Sequence, residues 1–145
     1  MYKHLLIPTD GSESSRAAVD RGLDMAKETD ARVTVLHVGT PFHVMAADGA
    51  ALTDTRTEYE RHAKERAARI TSAVEAAAKS KGVNCRSSFV VAEHPYEAII
   101  ETARNDGCDL IVMASHGRRG VKALLLGSET QKVLTHSSIP VLVYR

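Results

Sequence analysis

The chain has no tryptophan, and only 4% of its residues are aromatic. It also lacks the cysteine patterns of disulfide-rich or zinc-binding proteins, because its two cysteines, Cys85 and Cys108, form no C-x-x-C pair and no His/Cys cluster. Two buried thiols in a reducing compartment are the simplest interpretation. No apolar run approaches the roughly 20 residues that cross a bilayer, and the N-terminus has neither the apolar core nor the cleavage site of a signal peptide. We therefore expect a cytoplasmic protein without a membrane segment.

An excess of charge of either sign is also missing. The 19 Lys and Arg residues nearly balance the 18 Asp and Glu residues, which leaves a net charge of +1. This balance argues against partners that bind by bulk electrostatic attraction, such as nucleic acid or an anionic membrane. The chain of 145 residues has no internal repeat, low-complexity tract or linker, so we expect a single domain over residues 1–145.

Short apolar runs alternate with helical stretches along the chain. The apolar runs predict five strands, at Tyr2–Pro8, Ala31–Val38, Val83–Ala92, Cys108–Ser115 and Ile139–Arg145. Helical spacing and capping residues predict helices at Ser12–Asp30, from about Thr53 to Lys81, at Pro95–Asp106 and at Val121–Ser137. The last helix is either broken or entered at Gly127-Ser128. Residues Gly39–Ala51 show no regular period, so we expect a loop there.

The strands are continuous apolar runs rather than alternating ones. Such runs are typical of parallel sheets buried on both faces, and the alternation with helices implies right-handed crossovers. We therefore expect a three-layer α/β fold, an open five-stranded parallel sheet with helices on both faces, of the Rossmann-like type. The last strand, Ile139–Arg145, is short and apolar and is a candidate for a sheet edge.

Three polar, glycine-bearing segments follow predicted strands, at Pro8–Ser12, His37–Thr40 and Ala114–Gly120. In an open parallel sheet, ligands bind beyond the carboxyl ends of the strands, where the strand order reverses. The amides of the third segment and of the helix start at Gly127-Ser128 would face the same space as Asp10. Two interpretations stay open on these physical grounds, a phosphate-binding loop or a tight turn that needs glycine. The pattern matches neither a Walker A loop nor the dinucleotide fingerprint.

Several stretches resemble the universal stress protein family. They are IPTDGSESSRAAV near the N-terminus, VLHV on the second strand and SHGRRGVKALLLGSETQKVLTHSSIPVLV near the C-terminus, and the resemblance covers essentially the whole chain. Nucleotide-binding members carry Gly, two residues, Gly, nine residues, Gly and then Ser or Thr. Here the second glycine is Gly117, the spacer is Arg118–Leu126 and the final pair is Gly127-Ser128. Ala114 stands at the first position in place of glycine, and its methyl group is tolerated only where φ is negative and the ligand leaves room.

The resemblance implies a site for ATP, with Mg²⁺ or Mn²⁺ held mainly by the phosphates. Pro8, Thr9 and Asp10 would border the nucleoside, with Asp10 accepting from a ribose hydroxyl, and the backbone of Val38 would bind the adenine edge. The phosphates would be wrapped by Ala114, Ser115, His116, Gly117, Arg118, Arg119 and Gly120. The pocket would be completed by Gly127, Ser128, Glu129 and Thr130. The resemblance also implies a homodimer that pairs through the strand Ile139–Arg145.

Some of these residues have a second interpretation. His116 is either a catalytic base or, as we favour, a residue that caps the turn or packs against the sheet edge. Arg118 and Arg119 either pair with phosphates or are solvated loop charges, and Asp10 could be a turn residue at a helix start. The sequence reveals no arranged base, water-positioning group or metal cage, so efficient catalysis is not expected. We expect a regulatory, ATP-binding stress-response protein; the alternatives are a dimeric interaction module that needs no nucleotide, or a slow ATPase.

Overall fold

The computed structural model describes residues 1–47, 55–117 and 125–145. In these ranges the elements are β1 (His4–Pro8), α1 (Glu13–Thr29), β2 (Arg32–Gly39), α2 (Phe42–Ala47), α3 (Arg56–Lys81), β3 (Cys85–Val91), α4 (Pro95–Asn105), β4 (Leu110–Ala114), α5 (Ser128–His136) and β5 (Val141–Tyr144). The strands form one parallel sheet in the order β3-β2-β1-β4-β5. The predicted α/β fold is confirmed, and each observed strand lies inside or within one residue of its predicted range.

The strand order reverses between β1 and β4. The chain builds outward from β1 through β2 to β3, then returns to place β4 on the other side of β1 and ends on β5. β1 and β4 pair directly, with Leu5 opposite Leu110 and Leu6 opposite Ile111. Their carboxyl ends therefore border the crevice in which sheets of this type bind ligands. β5 lies at an edge of the sheet, as predicted for the C-terminal strand.

Both faces of the sheet are covered by helices. On one face, side chains of β1 and β2 pack against α1 and α3, and this cluster includes Leu5, Ile7, Val33, Val35, Leu23 and Val74. On the other face the cluster includes Leu6, Leu36, Ile111, Met113, Ile99 and Val133, the last two from α4 and α5. Full burial of one such side chain contributes about 1.5–3 kcal/mol. Packing on both faces therefore fixes the ends of β1 and β4 relative to each other.

Capping residues set the ends of α1 and α3. Ser12 is the N-cap of α1, and its side chain accepts a hydrogen bond from the backbone N–H of Ser15. Thr55 and Glu58 form a reciprocal capping box at the start of α3. Gly82 ends α3 in the left-handed conformation, with φ of 76°. These local signals set the lengths of the two helices that cover one face of the sheet.

The prediction that Gly39–Ala51 forms a loop without regular structure was wrong in part, because Phe42–Ala47 form the helix α2. The carbonyl of Pro41 accepts from the N–H groups of Val44 and Met45, which closes the first turn. Phe42 packs edge-on against Tyr59 of α3, with ring centroids 5.5 Å apart. A helix of six residues is too short for a periodic signal, so this contact with α3 supports it rather than local pattern.

The last helix begins at Ser128. Gly127 is its N-cap, and Leu125 and Leu126 before it are not helical. The remainder of the predicted helix N-terminal to Leu125, residues 121–124, lies outside the described residues. Of the helices in the described ranges, none combines the length and apolar character that a membrane crossing requires.

The two thiols differ in burial. Cys108 is buried as predicted, whereas Cys85 on the edge strand β3 is only half-buried, and both are free. The interpretation as two buried thiols is therefore wrong for Cys85, because a strand at the sheet edge is covered less completely than a central one. Burial raises the pKa of each thiol to about 11. Both are therefore protonated and unreactive near neutral pH.

Candidate functional site

The turn after β1 is held by a network of short polar side chains. The N–H of Thr9 donates to the carbonyl of Leu36 at 2.8 Å, which continues the pairing with β2 past Pro8. Oδ1 of Asp10 accepts from the N–H of Ser12 at 2.9 Å and from Oγ of Ser15 at 3.0 Å. These bonds fix Asp10 at the start of α1, so its predicted role as a turn residue is seen directly. A role toward a ribose hydroxyl stays a prediction.

The end of β4 is fastened to the start of α5. The N–H of Gly127 donates to the carbonyl of Ser115 at 2.6 Å, and Oγ1 of Thr130 donates to the carbonyl of Ala114 at 3.0 Å. These bonds place the first turn of α5, including Ser128, at the end of β4. A helix N-terminus presents unpaired N–H groups and a partial positive charge, which suit an anion.

Two glycines lie where an added Cβ atom would meet neighbouring residues closely. A Cβ atom on Gly117 would lie 2.5 Å from Oδ2 of Asp10, and one on Gly127 would lie 3.2 Å from Cα of His116. Neither glycine has a positive φ; Gly127 has φ of −59°. Neither of these two glycines therefore occupies the left-handed region, and the tight turn that needs glycine stays an interpretation beside the phosphate-binding loop. Their small size lets the segment after β4 approach Asp10 on one side and α5 on the other.

Ala114 causes no backbone strain. It is the last residue of β4, and among the described residues other than glycine only Asp30 has a positive φ. Its side chain is buried, with 7% of the residue exposed. The first condition for tolerating alanine at this motif position, a negative φ, is therefore met.

His116 joins the segment after β4 to the first turn of α1. Its Nε2 lies 3.1 Å from Oγ of Ser14, and its Nδ1 lies 3.1 Å from Oγ of Ser115. The ring therefore has a hydroxyl partner on each nitrogen. Sequence reasoning missed Ser14, because this contact joins positions 102 residues apart.

The other predicted residues surround this centre. Val38 is half-buried near the end of β2 and packs against the core, and Pro8 is half-buried at the end of β1. Oε2 of Glu129 accepts from the N–H of Tyr96, so this carboxylate joins α5 to the start of α4. Arg118, Arg119 and Gly120 lie outside the described residues.

One further histidine lies near the site. Nδ1 of His37 is 2.9 Å from the carbonyl oxygen of Thr9, and its ring stacks on Phe89. The ring of His37 is thus packed between Thr9, which follows β1, and Phe89 on β3. Within the described ranges, no group of three His, Cys, Asp or Glu residues is arranged to hold a metal ion.

A family model described as the universal stress protein family matches residues 1–145. The chain belongs to the universal stress protein family. The universal stress protein YxiE of Bacillus subtilis is 31% identical over 149 residues, an alignment that covers 100% of both chains. The family assignment made from the sequence motifs is confirmed.

Two solved structures extend the comparison. The structure of MJ0577 from Methanocaldococcus jannaschii has a TM-score of 0.83 and 30% identity, covering 99% of this chain and 95% of that one. A universal stress protein crystallised in complex with cAMP has a TM-score of 0.69 and 26% identity, covering 99% and 97%. The shared fold thus includes a relative that binds an adenine nucleotide.

Proposed function

We propose that this universal stress protein binds ATP in the crevice at the carboxyl ends of β1 and β4, as a regulatory stress-response protein of the cytoplasm. The observation that carries the proposal is the close approach of Gly117 to Asp10 beside the first turn of α5. Three chain segments converge there at the reversal of strand order. The cAMP complex of a relative supports an adenine nucleotide as the ligand. Residues 1–145 form a single domain in this proposal.

The phosphates would bind between the segment after β4 and α5. Backbone amides from Ser115 to Gly117, and those of Ser128 and Glu129 at the helix start, would donate to phosphate oxygens. Because Thr130 bonds the carbonyl of Ala114, it would hold α5 in position. Arg118, Arg119 and Gly120 follow Gly117 in sequence and would complete the phosphate site.

The nucleoside would lie toward β1 and β2. Pro8 and Thr9 would border it, the carboxylate of Asp10 would accept from a ribose hydroxyl, and the backbone of Val38 would bind the adenine edge. A divalent ion, Mg²⁺ or Mn²⁺, would be held mainly by phosphate oxygens and water, which Mg²⁺ prefers.

Isothermal titration with Mg-ATP tests the proposal. We expect saturable binding with one nucleotide per chain, together with a higher melting temperature, because a ligand at 100 times its Kd stabilises the folded state by about 2.7 kcal/mol. Parallel titrations with cAMP and AMP measure how much the β- and γ-phosphates contribute. Absence of both heat and thermal stabilisation at millimolar nucleotide would contradict ATP binding and favour the interaction module.

We also propose a homodimer that pairs through Ile139–Arg145. β5 is an edge strand, and an unpaired edge offers backbone donors and acceptors to another chain. Leu142 on β5 and Leu134 on α5 are each 42% exposed, which adds apolar surface beside the edge. Pairing with a second copy would cover both features. Light scattering at micromolar concentration tests this, and the mass of a monomer would contradict it.

A further inference from the structure

An open groove runs between strand β3 and helix α4, at the edge of the sheet opposite β5. Its volume is about 540 Å³, within the range of about 300–1,000 Å³ in which binding clefts lie. Its lining includes Val90 and Val91 at the end of β3, Glu93 in the turn that follows, and Glu97 and Glu101 on α4. None of these residues belongs to the proposed ATP site.

The backbone of β3 is open on the side of the groove. In the described part of the chain β3 pairs with β2 alone. The carbonyl of Asn84 accepts from the N–H of Val33, and the N–H of Ala92 donates to the carbonyl of Gly39. Because backbone groups alternate in direction along a strand, the even-numbered residues of β3 face β2 and the odd-numbered ones face away from it. The N–H and carbonyl of Val91 therefore point away from the sheet.

The end of β3 lacks the charges that usually protect a sheet edge. β3 carries a single charged residue, Arg86, which lies near its start and pairs with Asp106 at 2.7 Å. Val91 at the other end is 52% exposed. Edges that must stay unpaired are commonly blocked by charge or covered by other elements. An uncharged and exposed edge beside a groove therefore favours the addition of a strand from a partner.

The helix side of the groove is acidic. Glu93, Glu97 and Glu101 are all exposed, and among the described residues that line the groove there is no Lys or Arg. Glu93 lies 3.7 Å from Nε2 of His43, and Glu97 accepts from the hydroxyl of Tyr96. Carboxylates on one wall favour a cationic partner. They disfavour a second copy of this chain, because twofold pairing would bring the same carboxylates together.

The spacing of these carboxylates matches that of side chains on a strand. Glu97 and Glu101 are four residues apart on α4, which corresponds to a rise of about 6 Å. Alternate residues of an extended strand are about 6.5 Å apart and project from the same face. Lys or Arg at two alternate positions of a strand beside β3 would therefore meet the two carboxylates.

The residues between those cations would project from the other face of the sheet. The hydroxyl of Ser87 donates to Glu75 on α3, and Val91 projects from the same face because it lies four residues further along the strand. Val90 instead packs in the cluster that includes residues of α4. The intervening residues would thus contact exposed Val91, which favours apolar side chains at those positions.

We propose that β3 and α4 form a docking site for an extended segment of another protein in which Lys or Arg alternates with apolar residues. The segment adds to the sheet as a strand beside β3. Main-chain hydrogen bonds with β3 supply affinity, and Glu97 and Glu101 select the cationic side chains. This site does not depend on the binding of ATP.

Titration of the full chain with a fluorescently labelled peptide of four Lys-Val repeats, followed by anisotropy, tests the site. We expect saturable binding that weakens as the salt concentration rises. A peptide of four Glu-Val repeats should not bind. Absence of saturable binding of the Lys-Val peptide up to about 1 mM would overturn the proposal, and equal affinity for the Glu-Val peptide would overturn the charge selection.

Two modified Lys-Val peptides test the main-chain bonds, one N-methylated at the lysines and one at the valines. Only one set of N–H groups faces β3 in an added strand, so we expect one of the two peptides to lose binding and the other to keep it. Equal affinity of both for the protein, matching that of the unmodified peptide, would overturn strand addition.

Glu97→Gln combined with Glu101→Gln removes two charges and keeps the size of both side chains. We expect the Kd of the Lys-Val peptide to rise about five- to tenfold, because each partly solvated ion pair contributes modestly. The matched control combines Asp20→Asn with Glu28→Gln, which removes the same charge from exposed side chains of α1. Equal weakening in both double variants would show unspecific attraction and overturn the site.

Val91→Pro removes an N–H that faces away from β2, so it leaves the pairing of β3 with β2 intact. Val91→Ala is its control, because it shortens the side chain and keeps the N–H. We expect the proline variant to bind the Lys-Val peptide about tenfold more weakly than the alanine variant, as for a lost hydrogen bond. Thermal unfolding checks that both variants fold. Equal Kd values for two folded variants would overturn strand addition, and Val91→Lys, which repels the peptide, serves the same test if the proline variant does not fold.

Discussion

A Cβ atom added to Gly117 would lie 2.5 Å from Oδ2 of Asp10, so these two residues bring the segments after β4 and β1 into direct contact. The carboxylate of Asp10 occupies the space that a side chain at position 117 would need. The carboxylate of Asp10 is also held by Ser12 and Ser15, and it cannot turn away without loss of those bonds. Substitutions at this contact therefore test the geometry of the crevice.

Gly117→Ala should destabilise the fold and weaken nucleotide binding together. The new methyl group forces Asp10 or the segment itself to move, which we expect to cost about 1–2 kcal/mol of unfolding free energy and to weaken ATP binding about tenfold or more. Urea denaturation and titration measure the two effects. In the background of Asp10→Ala the same substitution should cost much less, and equal costs in both backgrounds would rule out the contact.

Gly127→Ala should reduce ATP affinity by more than its effect on the free energy of unfolding alone would cause. The methyl group meets the backbone of Ser115 and His116 at 3.3 and 3.2 Å, so the start of α5 has to shift by a few tenths of an ångström. We expect ATP affinity to fall several-fold. Gly82→Ala is the control, because it strains a left-handed residue with open space around it, at a cost of about 1 kcal/mol. Equal ATP affinities in the two variants would contradict a role for the α5 start.

Ala114→Gly should leave ATP affinity within about twofold of the parent. The alanine has a negative φ in a strand, so glycine relieves no strain and costs about 0.5–1 kcal/mol through added freedom of the unfolded chain. Titration and thermal unfolding check both expectations. Appearance of ATP binding only in the glycine variant would show that the methyl group blocks the site and that the parent is an interaction module.

Leu142→Lys should convert the proposed dimer to a monomer. A lysine on the edge strand β5 places a charge where a second copy would pair, and such charges prevent edge-to-edge association. Val91→Lys is the matched control, because Val91 is 52% exposed on the opposite edge strand, β3. Light scattering should give a dimer for the control and a monomer for Leu142→Lys. The same mass for both variants would place the interface elsewhere.

Protonation of buried His4 should lower the free energy of unfolding in mild acid. It is 4% exposed, its Nε2 lies 2.8 Å from Oγ1 of Thr34, and its Nδ1 is buried without a hydrogen-bond partner among the described residues. Burial, assisted by Arg32 and Arg86, lowers the pKa of His4 below its ordinary 6.5, although Asp106 and Asp109 oppose the shift.

The unfolded chain therefore binds a proton at His4 near pH 6.5, whereas the folded chain binds it only at lower pH. The stability contributed by neutral His4 is complete above about pH 6.5 and is lost as the pH falls toward the lowered pKa. Urea denaturation at about pH 7.5 and about pH 5 should show a larger loss for the parent than for His4→Gln, whose side chain does not titrate. Equal losses would show that His4 is not the group responsible.

The sequence predicts the central part of this fold well, because strands buried on both faces of a sheet are concentrated in apolar residues that are easy to recognise. β1, β2 and β4 are rich in buried apolar residues, and Ser12 and Gly82 mark helix ends by chemistry that acts over three or four residues. The six-residue helix α2 was missed because its support comes from Tyr59 on another helix.

The candidate site was predicted less completely for a similar reason. The motif spacing pointed to Gly117 and Gly127. Only the fold shows that Asp10 occupies the space beside Gly117 and that His116 occupies the space beside Gly127. The contact between His116 and Ser14 joins positions 102 residues apart, so no local pattern could reveal it.

Ser115 contacts two elements at once. Its N–H donates to the carbonyl of Tyr144 on β5, and its carbonyl accepts from the N–H of Gly127 at the start of α5, so one residue separates the edge proposed for dimer pairing from the proposed phosphate site. If nucleotide binding shifts this residue, the dimer dissociation constant must change with nucleotide concentration. Thermodynamic reciprocity then requires dimerisation to change the ATP affinity by the same factor. The protein would thereby report the ATP level of its surroundings through its state of assembly.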